Sequence, residues 1–304
     1  MRNNFLDDLL VDPLSGEKLY YDESGSSYST TDRSVIYPVI GSIPQILTAR
    51  QDNLVPSLHE KFGSVFNYPD HYQKDAILDD YSEKQLPHVT RTELKRLRES
   101  VTDEIKGNER TIVLDAGCGN GWVSKKLVPV GIKVISMDIS LANPERTLKD
   151  QPGKNHAGLV ADAFFIPLPD GSVDYVIASE ILEHVTNPAA LIESLLRVVR
   201  PGGRVIITTP YNEKIEYFLC VHCNKPTPKS AHLHSFDELN ILKLLPPAGI
   251  NCRIELLVNR LLSKFRINAI LGFLPSSAWR PIDRFFNKIG GEPTRLKIVI
   301  EKNS

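Results

Sequence analysis

Thr111-Ile-Val-Leu-Asp-Ala-Gly-Cys-Gly-Asn-Gly121 is the segment of this 304-residue chain from which its fold is best predicted. Residues 111–114 have the apolar, β-branched composition of a buried strand, Asp115 ends that strand, and a helix is predicted to begin at Trp122. The three glycines between them let the backbone turn tightly and bring its N–H groups to a ligand at the helix N-terminus. The stretch therefore predicts a strand–loop–helix unit that binds a ligand at the carboxyl end of the strand.

The spacing of the glycines indicates what kind of ligand this is. A dinucleotide-binding loop spaces its glycines G-x-G-x-x-G to receive a pyrophosphate, whereas this loop has G-x-G-x-G with Asp115 two residues before the first glycine. A carboxylate at that place repels a pyrophosphate and attracts a ligand that carries an ammonium group. The spacing therefore disfavours a nicotinamide-dependent oxidoreductase. A glycine loop alone is also compatible with a plain tight turn, so the residues that follow it decide the interpretation.

Strand-length apolar runs continue along the chain after this unit. They lie at 111–114, 132–137, 157–160, 173–178, 204–208, 253–258 and 296–300. Helical segments separate the first five runs, among them the strongly periodic Ala189–Val199. This alternation predicts an α/β fold with a doubly wound, mostly parallel seven-strand sheet, covered by helices on both faces and completed by the last two runs.

Two further strands of this predicted sheet also end in acids. Asp138 follows the second strand, about 20 residues beyond the glycine loop, where a carboxylate can accept both hydroxyls of a ribose. Asp162, Ala163 and Phe164 end the third strand, and a carboxylate beside an aromatic ring suits an adenine. Because the carboxyl ends of parallel strands meet at one edge of the sheet, these acids are predicted to share one ligand.

This ordered set, followed by Glu180-Ile-Leu-Glu-His184 and Val199-Arg-Pro-Gly-Gly203, resembles the motifs of class I methyltransferases that use S-adenosylmethionine (SAM), in their UbiE/UbiG-like small-molecule branch. The resemblance covers roughly 111–210 and implies a Rossmann-like fold with SAM as cofactor. It assigns the cofactor contacts, from the methionine through the ribose and adenine to the sulfonium end, to Asp115, Gly117, Gly119, Gly121, Trp122, Asp138, Ile139, Asp162, Ala163 and Ser179.

Glu180 and His184 are the candidate catalytic residues. In the resembled family a histidine often follows the glutamate of this strand-to-helix turn, where it either orients the loop or approaches the substrate. Methyl transfer to an already nucleophilic oxygen, nitrogen or carbon requires mainly proximity and alignment, so a general base is not compulsory. A structural role and a general-base role for His184 both stay open.

Residues 1–48 are predicted to form a small β-rich domain, and residues 49–108 a helical linker or lid over the cofactor site. The pattern around Leu9–Gly16 and Tyr37–Pro44 resembles the zinc-ribbon-like module that precedes many bacterial methyltransferases. Asp12, Ser15 and Asp32 stand where metal-binding members have cysteines, and such a site lacks the thiolates of structural zinc. We expect a metal-free module, stabilised by its own small core or used to dock a partner.

The methyltransferase domain is predicted to span 109–304, with substrate-cap insertions at about 211–236 and 259–290. In the first insertion, Cys220 and Cys223 form a C-x-x-C pair that precedes His232 and His234, a spacing that suits tetrahedral zinc. An ordinary reduced thiol pair beside a helix N-cap is the alternative. In the second insertion, six cationic side chains accompany apolar residues at helical spacing. Such a segment can contact a membrane surface peripherally or receive an anionic, lipid-like acceptor, or it can simply cover the sheet.

The composition of the whole chain excludes other classes. A formal net charge of −1, with 41% hydrophobic and 24% charged residues, indicates a globular protein without the basic balance of a nucleic-acid binder. The sequence has no secretory signal pattern, no run of 18 apolar residues and only four cysteines, which predicts a cytoplasmic protein. The predicted function is SAM-dependent methyl transfer to a small or amphiphilic molecule. A non-catalytic SAM-binding scaffold is the alternative.

Overall fold

A computed structural model of the chain describes residues 5–48, 67–79, 81, 83, 86–265, 267, 274–289 and 292–303. The strands of its main sheet are β1 Tyr20–Asp22, β2 Ser27–Ser29, β3 Ile36–Ile40, β4 Ile43–Ile46, β5 Ile112–Ala116, β6 Lys133–Asp138, β7 His156–Ala161, β8 Val173–Ser179, β9 Val199–Pro210, β12 Ile250–Asn259 and β13 Pro293–Lys302, and a separate hairpin consists of β10 Tyr217–Leu219 and β11 Pro226–Pro228. The α-helices are α1 Tyr68–Leu78, α2 His88–Thr102, α3 Trp122–Leu127, α4 Ala142–Asp150, α5 Pro188–Val198, α6 Glu238–Leu242, α7 Arg260–Lys264 and α8 Ser276–Lys288.

The main sheet has the order β1-β2-β3-β4-β7-β6-β5-β8-β9-β13-β12. Its centre is parallel from β4 to β9, and β13 runs antiparallel to both of its neighbours, β9 and β12. The carboxyl ends of β5, β6, β7 and β8 therefore open on the same edge, where the motif residues lie. A Rossmann-like α/β sheet of this kind confirms the predicted fold class.

The sheet differs from the prediction in its size and in its N-terminal edge. It contains eleven strands rather than seven, because β4 pairs in parallel with β7 through Gln45–Val160 and Ile46–Ala161. Leu10, Tyr28 and other apolar residues of the first 48 positions belong to the same core cluster as Leu159 of β7. The N-terminal segment is thus continuous with the main sheet, and it covers an edge of β7 that would otherwise present unpaired N–H and C=O groups.

Hydrogen bonds between side chains hold the first turn of this N-terminal segment. The Asp12 carboxylate accepts from the Ser15 N–H and the Ser15 hydroxyl, both at 2.7 Å, and from the Tyr37 hydroxyl at 2.6 Å. These contacts lower the pKa of Asp12, although burial opposes them. Asp12 and Ser15 therefore stabilise this turn through their contact with each other.

The two described helices of the predicted linker each have a proline at their N-terminal end. Pro69 lies in the first turn of α1, where its missing N–H costs nothing, and the Asn67 side chain caps that turn by accepting from the Asp70 N–H. Pro87 precedes α2 as its N-cap. Residues 49–66 of this segment lie outside the described residues.

A buried ion-pair network joins α2 to the two C-terminal strands. Lys297 of β13 is fully buried, and its ammonium group contacts Glu104 at 2.9 Å, Glu255 of β12 at 3.0 Å and the Ser100 carbonyl at 3.1 Å. Two carboxylates and a carbonyl compensate this buried charge, as a charge in the interior requires. The network fixes the C-terminal end of α2 against the sheet.

The C-terminal helix α8 packs on β12 and α2. Trp279 is buried under the Arg96 guanidinium, and the buried Asp283 accepts the N–H groups of Val258 and Asn259 at 2.9 and 3.0 Å. Within the described ranges, the protein has no helix both long and apolar enough to span a bilayer.

Candidate functional site

A cavity of about 1060 Å³ opens at the carboxyl ends of the central strands. Ten residues predicted for the cofactor or for catalysis line it, namely Gly117, Gly119, Trp122, Asp138, Ile139, Asp162, Ala163, Ser179, Glu180 and His184. Ligand pockets of proteins typically enclose about 300–1,000 Å³, so this cavity has room for a cofactor together with an acceptor.

The glycine loop reaches the cavity through its first two glycines. Gly117 has a φ of 74°, and a Cβ there would lie 2.5 Å from the Ile181 side chain. The N–H groups of Gly117 and Cys118 donate to the Met137 carbonyl at 2.9 and 3.0 Å, which ties the loop to β6. Gly121 has another role, because a Cβ there would lie 2.5 Å from Thr147 of α4, and Gly121 does not line the cavity. Its glycine is required for helix packing.

The Asp138 carboxylate lies at the end of β6 and is held by three donors. The Ser140 N–H donates to Oδ1 at 3.0 Å, while the Asn143 amide and the Gly119 N–H donate to Oδ2 at 3.0 and 3.4 Å. Burial raises the pKa of Asp138, and these hydrogen bonds oppose the rise. The arrangement fixes the orientation of the carboxylate at the cavity wall.

Asp115 behaves differently from Asp138. It is only 2% exposed, its Oδ2 has no hydrogen-bond partner among the described residues, and it is not among the residues that line the cavity. Burial, followed by the neighbouring Asp138 charge, raises its pKa to about 8. Asp115 therefore lies behind the residues that line the cavity, and it can act on a ligand there through its charge rather than by direct contact.

The third predicted acid, Asp162, has an aromatic partner that the sequence did not assign to it. The Tyr68 hydroxyl of α1 donates to Asp162 Oδ2 at 2.5 Å, and the Phe164 N–H donates to Oδ1 at 2.9 Å. Burial raises the pKa of Asp162 and the Tyr68 hydrogen bond opposes the rise. Tyr68 thus places α1 over the adenine end of the predicted site.

Helix α1, which belongs to the predicted linker or lid, supplies a wall of the cavity through residues that the sequence analysis did not name. Tyr68, His71, Tyr72 and Asp75 line the cavity at spacings of three and four residues, the period of one helix face. The Arg146 guanidinium of α4 donates to the Ala76 carbonyl at 2.9 Å and holds the helix there. The sequence offers one signal for these residues, tyrosines placed among charged side chains. The sequence does not tell which way those tyrosines point, because that depends on how α1 packs against the rest of the fold.

The turn after β8 carries the candidate catalytic pair. Glu180 has a φ of 56°, its Oε2 forms an ion pair with Arg295 at 2.9 Å, and its Oε1 is buried without a hydrogen-bond partner among the described residues. The Ser179 and Thr208 hydroxyls share a hydrogen bond of 2.9 Å beside it. Glu180 is thus anchored to β13.

Glu183, His184 and His232 form a compact cluster at the same end of the cavity. Their potential ligand atoms lie within 4.8 Å of one another. Burial, followed by the His232 ring, lowers the pKa of His184 to about 4, so this imidazole is neutral at pH 7. Burial and the Glu180 charge raise the pKa of Glu183.

The predicted Cys₂His₂ zinc set is not assembled in the described part of the chain. Cys220 and Cys223 lie at the turn of the β10–β11 hairpin, where the Cys223 and His222 N–H groups lower the pKa of Cys220. His234 instead bonds the Val185 carbonyl through Nε2 at 3.0 Å, and His232 faces His184 with ring centroids 4.8 Å apart. The two histidines therefore serve different contacts, and His232 belongs to a cluster without cysteine.

The two predicted insertions differ in their relation to the cavity. Phe218, Cys223, Pro226 and His232, from the segment 211–236, line it. None of the described residues in 259–290 does, so the prediction that this segment caps the pocket is wrong for those residues. The reason is that α8 packs on β12 and α2. Three cations of the segment 259–290 form ion pairs, Arg260 with Glu292, Arg280 with Asp103 and Arg284 with Glu255.

Comparison with known proteins gives consistent matches. A family model described as a methyltransferase domain matches residues 83–253. The chain is 32% identical over 133 residues to a ubiquinone biosynthesis O-methyltransferase of Cupriavidus pinatubonensis, which covers 42% of this chain and 53% of that protein. It is 33% identical over 98 residues to a malonyl-[acyl-carrier protein] O-methyltransferase of Yersinia pestis, and this match covers 32% of this chain and 36% of that protein. The matched region thus spans about half or less of these curated relatives.

One solved structure supports the fold independently. A chain of the complex between the Haloferax volcanii Trm112 methyltransferase activator and a methyltransferase superimposes with a TM-score of 0.53 at 18% identity. The match covers 79% of this chain and 100% of that one. At this identity the likeness concerns the fold alone.

Proposed function

This chain belongs to the methyltransferase domain family, and we propose that it transfers the methyl group of SAM to a hydroxyl oxygen of a small, amphiphilic acceptor. The family establishes the class of enzyme, SAM-dependent methyl transfer. The acceptor and the residues that bind it are the proposal. The observation that carries it is a single cavity that joins the predicted cofactor residues to a histidine-rich, partly apolar end.

The residues at the cofactor end fit SAM in shape and in donor chemistry. The backbone of Gly117 and Gly119 lines the cavity and would contact the methionine part of SAM. Position 117 requires glycine, because a side chain there would collide with Ile181. The oriented Asp138 carboxylate would accept the ribose hydroxyls, and Asp162 with Ala163 would contact the adenine. The bound cofactor supplies a methyl group on a sulfonium. The residues of the chain bind it, orient it and exclude water from it.

The buried acids add an electrostatic argument for a cationic ligand. Asp115 has an unpartnered buried oxygen, and its pKa is raised to about 8 partly by the Asp138 charge. A ligand with an ammonium and a sulfonium group relieves this repulsion between two carboxyl groups, whereas a pyrophosphate would increase it. This supports SAM over a dinucleotide.

The acceptor end lies between α1, the turn after β8 and the β10–β11 hairpin. Ring contacts run there from His71 to Tyr72, from Tyr72 to His184 and from His184 to His232, and Phe218 also lines this part of the cavity. Imidazole nitrogens are suitable partners for an acceptor hydroxyl, and the curated relatives above are named as O-methyltransferases. These two points favour oxygen over nitrogen or carbon as the methylated atom.

The amphiphilic character of the acceptor is inferred from the hairpin rather than from the segment 259–290. Phe218 lines the cavity while remaining 54% exposed, so it lies at the mouth. Leu219 and Val221 beside it are also strongly exposed. An apolar chain leaving the cavity would contact these side chains, and the same surface would allow peripheral contact with a membrane.

A turnover assay tests the proposal and its rival. The protein is incubated with SAM and a panel of hydroxylated acceptors that differ only in the length of an apolar tail, together with the matching amines, and S-adenosylhomocysteine is measured by mass spectrometry. We expect turnover to increase with tail length until the cavity is filled. A scaffold would bind SAM and release no S-adenosylhomocysteine with any acceptor. Turnover only with amines, or equal turnover at all tail lengths, would contradict the proposed acceptor.

A further inference from the structure

We propose that Glu183, His184 and His232 bind one divalent transition-metal ion at the acceptor end of the cavity. The cluster is assembled from two distant parts of the chain, because His232 reaches the turn after β8 from beyond the β10–β11 hairpin. The Leu233 and His234 N–H groups donate to the Glu183 carbonyl at 2.7 and 3.2 Å and hold these two parts together. The ligand set is therefore fixed by backbone contacts as well as by side chains.

Both imidazoles are oriented as metal ligands usually are. His184 Nδ1 lies 3.3 Å from the Ala231 carbonyl, and His232 Nδ1 lies 2.5 Å from a Glu213 carboxylate oxygen. Because a carbonyl or a carboxylate oxygen accepts a hydrogen bond, each Nδ1 carries the proton and each Nε2 keeps its lone pair. Metal-binding histidines typically donate their second ring nitrogen to such an oxygen, which fixes the tautomer and the ring plane.

The carboxyl group of Glu183 has the complementary arrangement. Glu183 is only 1% exposed, and its Oε2 accepts a hydrogen bond from the Thr209 hydroxyl at 3.0 Å. Its Oε1 is buried without a hydrogen-bond partner among the described residues and lies 3.9 Å from His184 Nε2, too far for a hydrogen bond. A buried oxygen of this kind is costly to leave unsatisfied, and a cation held between it and the two rings would satisfy it.

The donor set indicates the class of metal and leaves room for a substrate. Two imidazoles and one carboxylate suit zinc, manganese, iron or cobalt, and they disfavour magnesium and calcium, which prefer oxygen ligands. Ligand atoms bound at about 2.0–2.2 Å lie roughly 3–3.5 Å apart, so distances of up to 4.8 Å in this cluster need to shorten by as much as about 1.3–1.8 Å. Three protein ligands leave at least one position open, and His184 and His232 both line the cavity.

The chemical role of the ion rests on the proposed function. An acceptor hydroxyl bound at the open position would lose its proton to solvent more readily, because a bound cation stabilises the resulting anion. The oxygen lone pair then forms the C–O bond while the S–C bond of the sulfonium breaks, and S-adenosylhomocysteine leaves.

Metal binding is tested on the full chain after treatment with a chelator. Zn²⁺ and Mn²⁺ are titrated by calorimetry, and Co²⁺ is added to record visible absorption from nitrogen–oxygen coordination. We expect one ion per chain. His232→Gln and Glu183→Gln are each expected to raise the dissociation constant at least tenfold, and Glu213→Gln, which removes only the partner of His232, to raise it by a smaller factor.

Matched variants distinguish this site from the thiol pair. His234→Gln changes a histidine two residues away that bonds Val185, and the double variant Cys220→Ser/Cys223→Ser removes the thiols; both are expected to bind the ion as the wild type does. Absence of binding to the wild type, or binding lost in the thiol variant and kept in His232→Gln, would overturn the proposal. Methyl transfer to the acceptor panel, measured on the metal-loaded wild type, separates the two ideas: an ion that binds while no acceptor is methylated refutes the proposed function alone.

Discussion

Replacing Asp138 by Asn tests the cofactor site at the residue whose surroundings the structure defines best. The carboxylate has three donors, and two of them, the Asn143 amide and the Gly119 N–H, meet the same oxygen. An Asn side chain keeps one acceptor for the Ser140 N–H but places a second amide group against those two donors. The charged acceptor for the ribose hydroxyls is lost, while the size of the side chain is preserved.

The expected magnitude follows from the loss of a hydrogen bond to a charged group. Such a bond contributes about 1.5–3 kcal/mol, which corresponds to a SAM dissociation constant raised roughly 10- to 150-fold. The unfolding temperature should fall by only about 2–4 °C, since the fold loses about one neutral hydrogen bond. Asp170→Asn is the matched control, because Asp170 is exposed at the surface and its one ion pair within the described part of the chain is with Arg197.

Calorimetry with two ligands makes this test specific. Wild type and variant are titrated with S-adenosylhomocysteine and with its analogue lacking the ribose 2′-hydroxyl. We expect the wild type to discriminate strongly between the two ligands and Asp138→Asn to discriminate weakly. If the variant binds both ligands as tightly as the wild type, or keeps the full discrimination, Asp138 does not bind the ribose.

Four further results are expected. Without cofactor, Asp115 in the folded chain has a pKa near 8 and keeps a proton that the unfolded chain loses above about pH 4, so the stability of the wild type should decline from about pH 4 to pH 8. The unfolding temperature of Asp115→Asn should lack this decline, and the same pH dependence in wild type and variant would refute the raised pKa of Asp115. Tyr68→Phe should raise the SAM dissociation constant about 2- to 13-fold by freeing Asp162, and an unchanged constant would remove α1 from the adenine end. Gly117→Ala should abolish measurable SAM binding, because the added methyl group would collide with Ile181 and displace the glycine loop. A SAM dissociation constant close to that of the wild type, measured by calorimetry, would show that this loop does not bind the cofactor. Lys288→Glu should leave the acceptor KM unaltered, and an increase would return the C-terminal segment to the pocket.

Local pattern was sufficient for the central sheet and for most of the cofactor site. The strands from β5 to β9 and the pair β12–β13 appear where apolar runs predicted them, because buried parallel strands need continuous β-branched sequence. Asp138 and Asp162 reach the cavity because strand ends on one edge converge regardless of the rest of the fold. The chemistry of a strand end is thus readable from the sequence.

Contacts between distant segments were not readable in this way. The pairing of β4 with β7 depends on a short strand whose partner is chosen only when the core forms. The role of Gly121 in helix packing, and the meeting of His232 with His184 instead of Cys220, depend on distances across the fold. The C-x-x-C spacing predicted that His232 would lie with Cys220 and Cys223, whereas the structure places it beside Glu183 and His184.

The pairing of β4 with β7 has a consequence for synthesis on the ribosome. Gln45 pairs with Val160, about 115 residues later in the chain, so at 5–20 residues per second β4 waits roughly 6–23 seconds for its partner. During that interval it is a nascent strand with one uncovered edge, the kind of segment that recruits neighbouring polysomal chains. Pro44 in the middle of β4 removes one N–H from that edge. We therefore expect Pro44 to make β4 a poorer template for pairing with other chains before β7 has been synthesised.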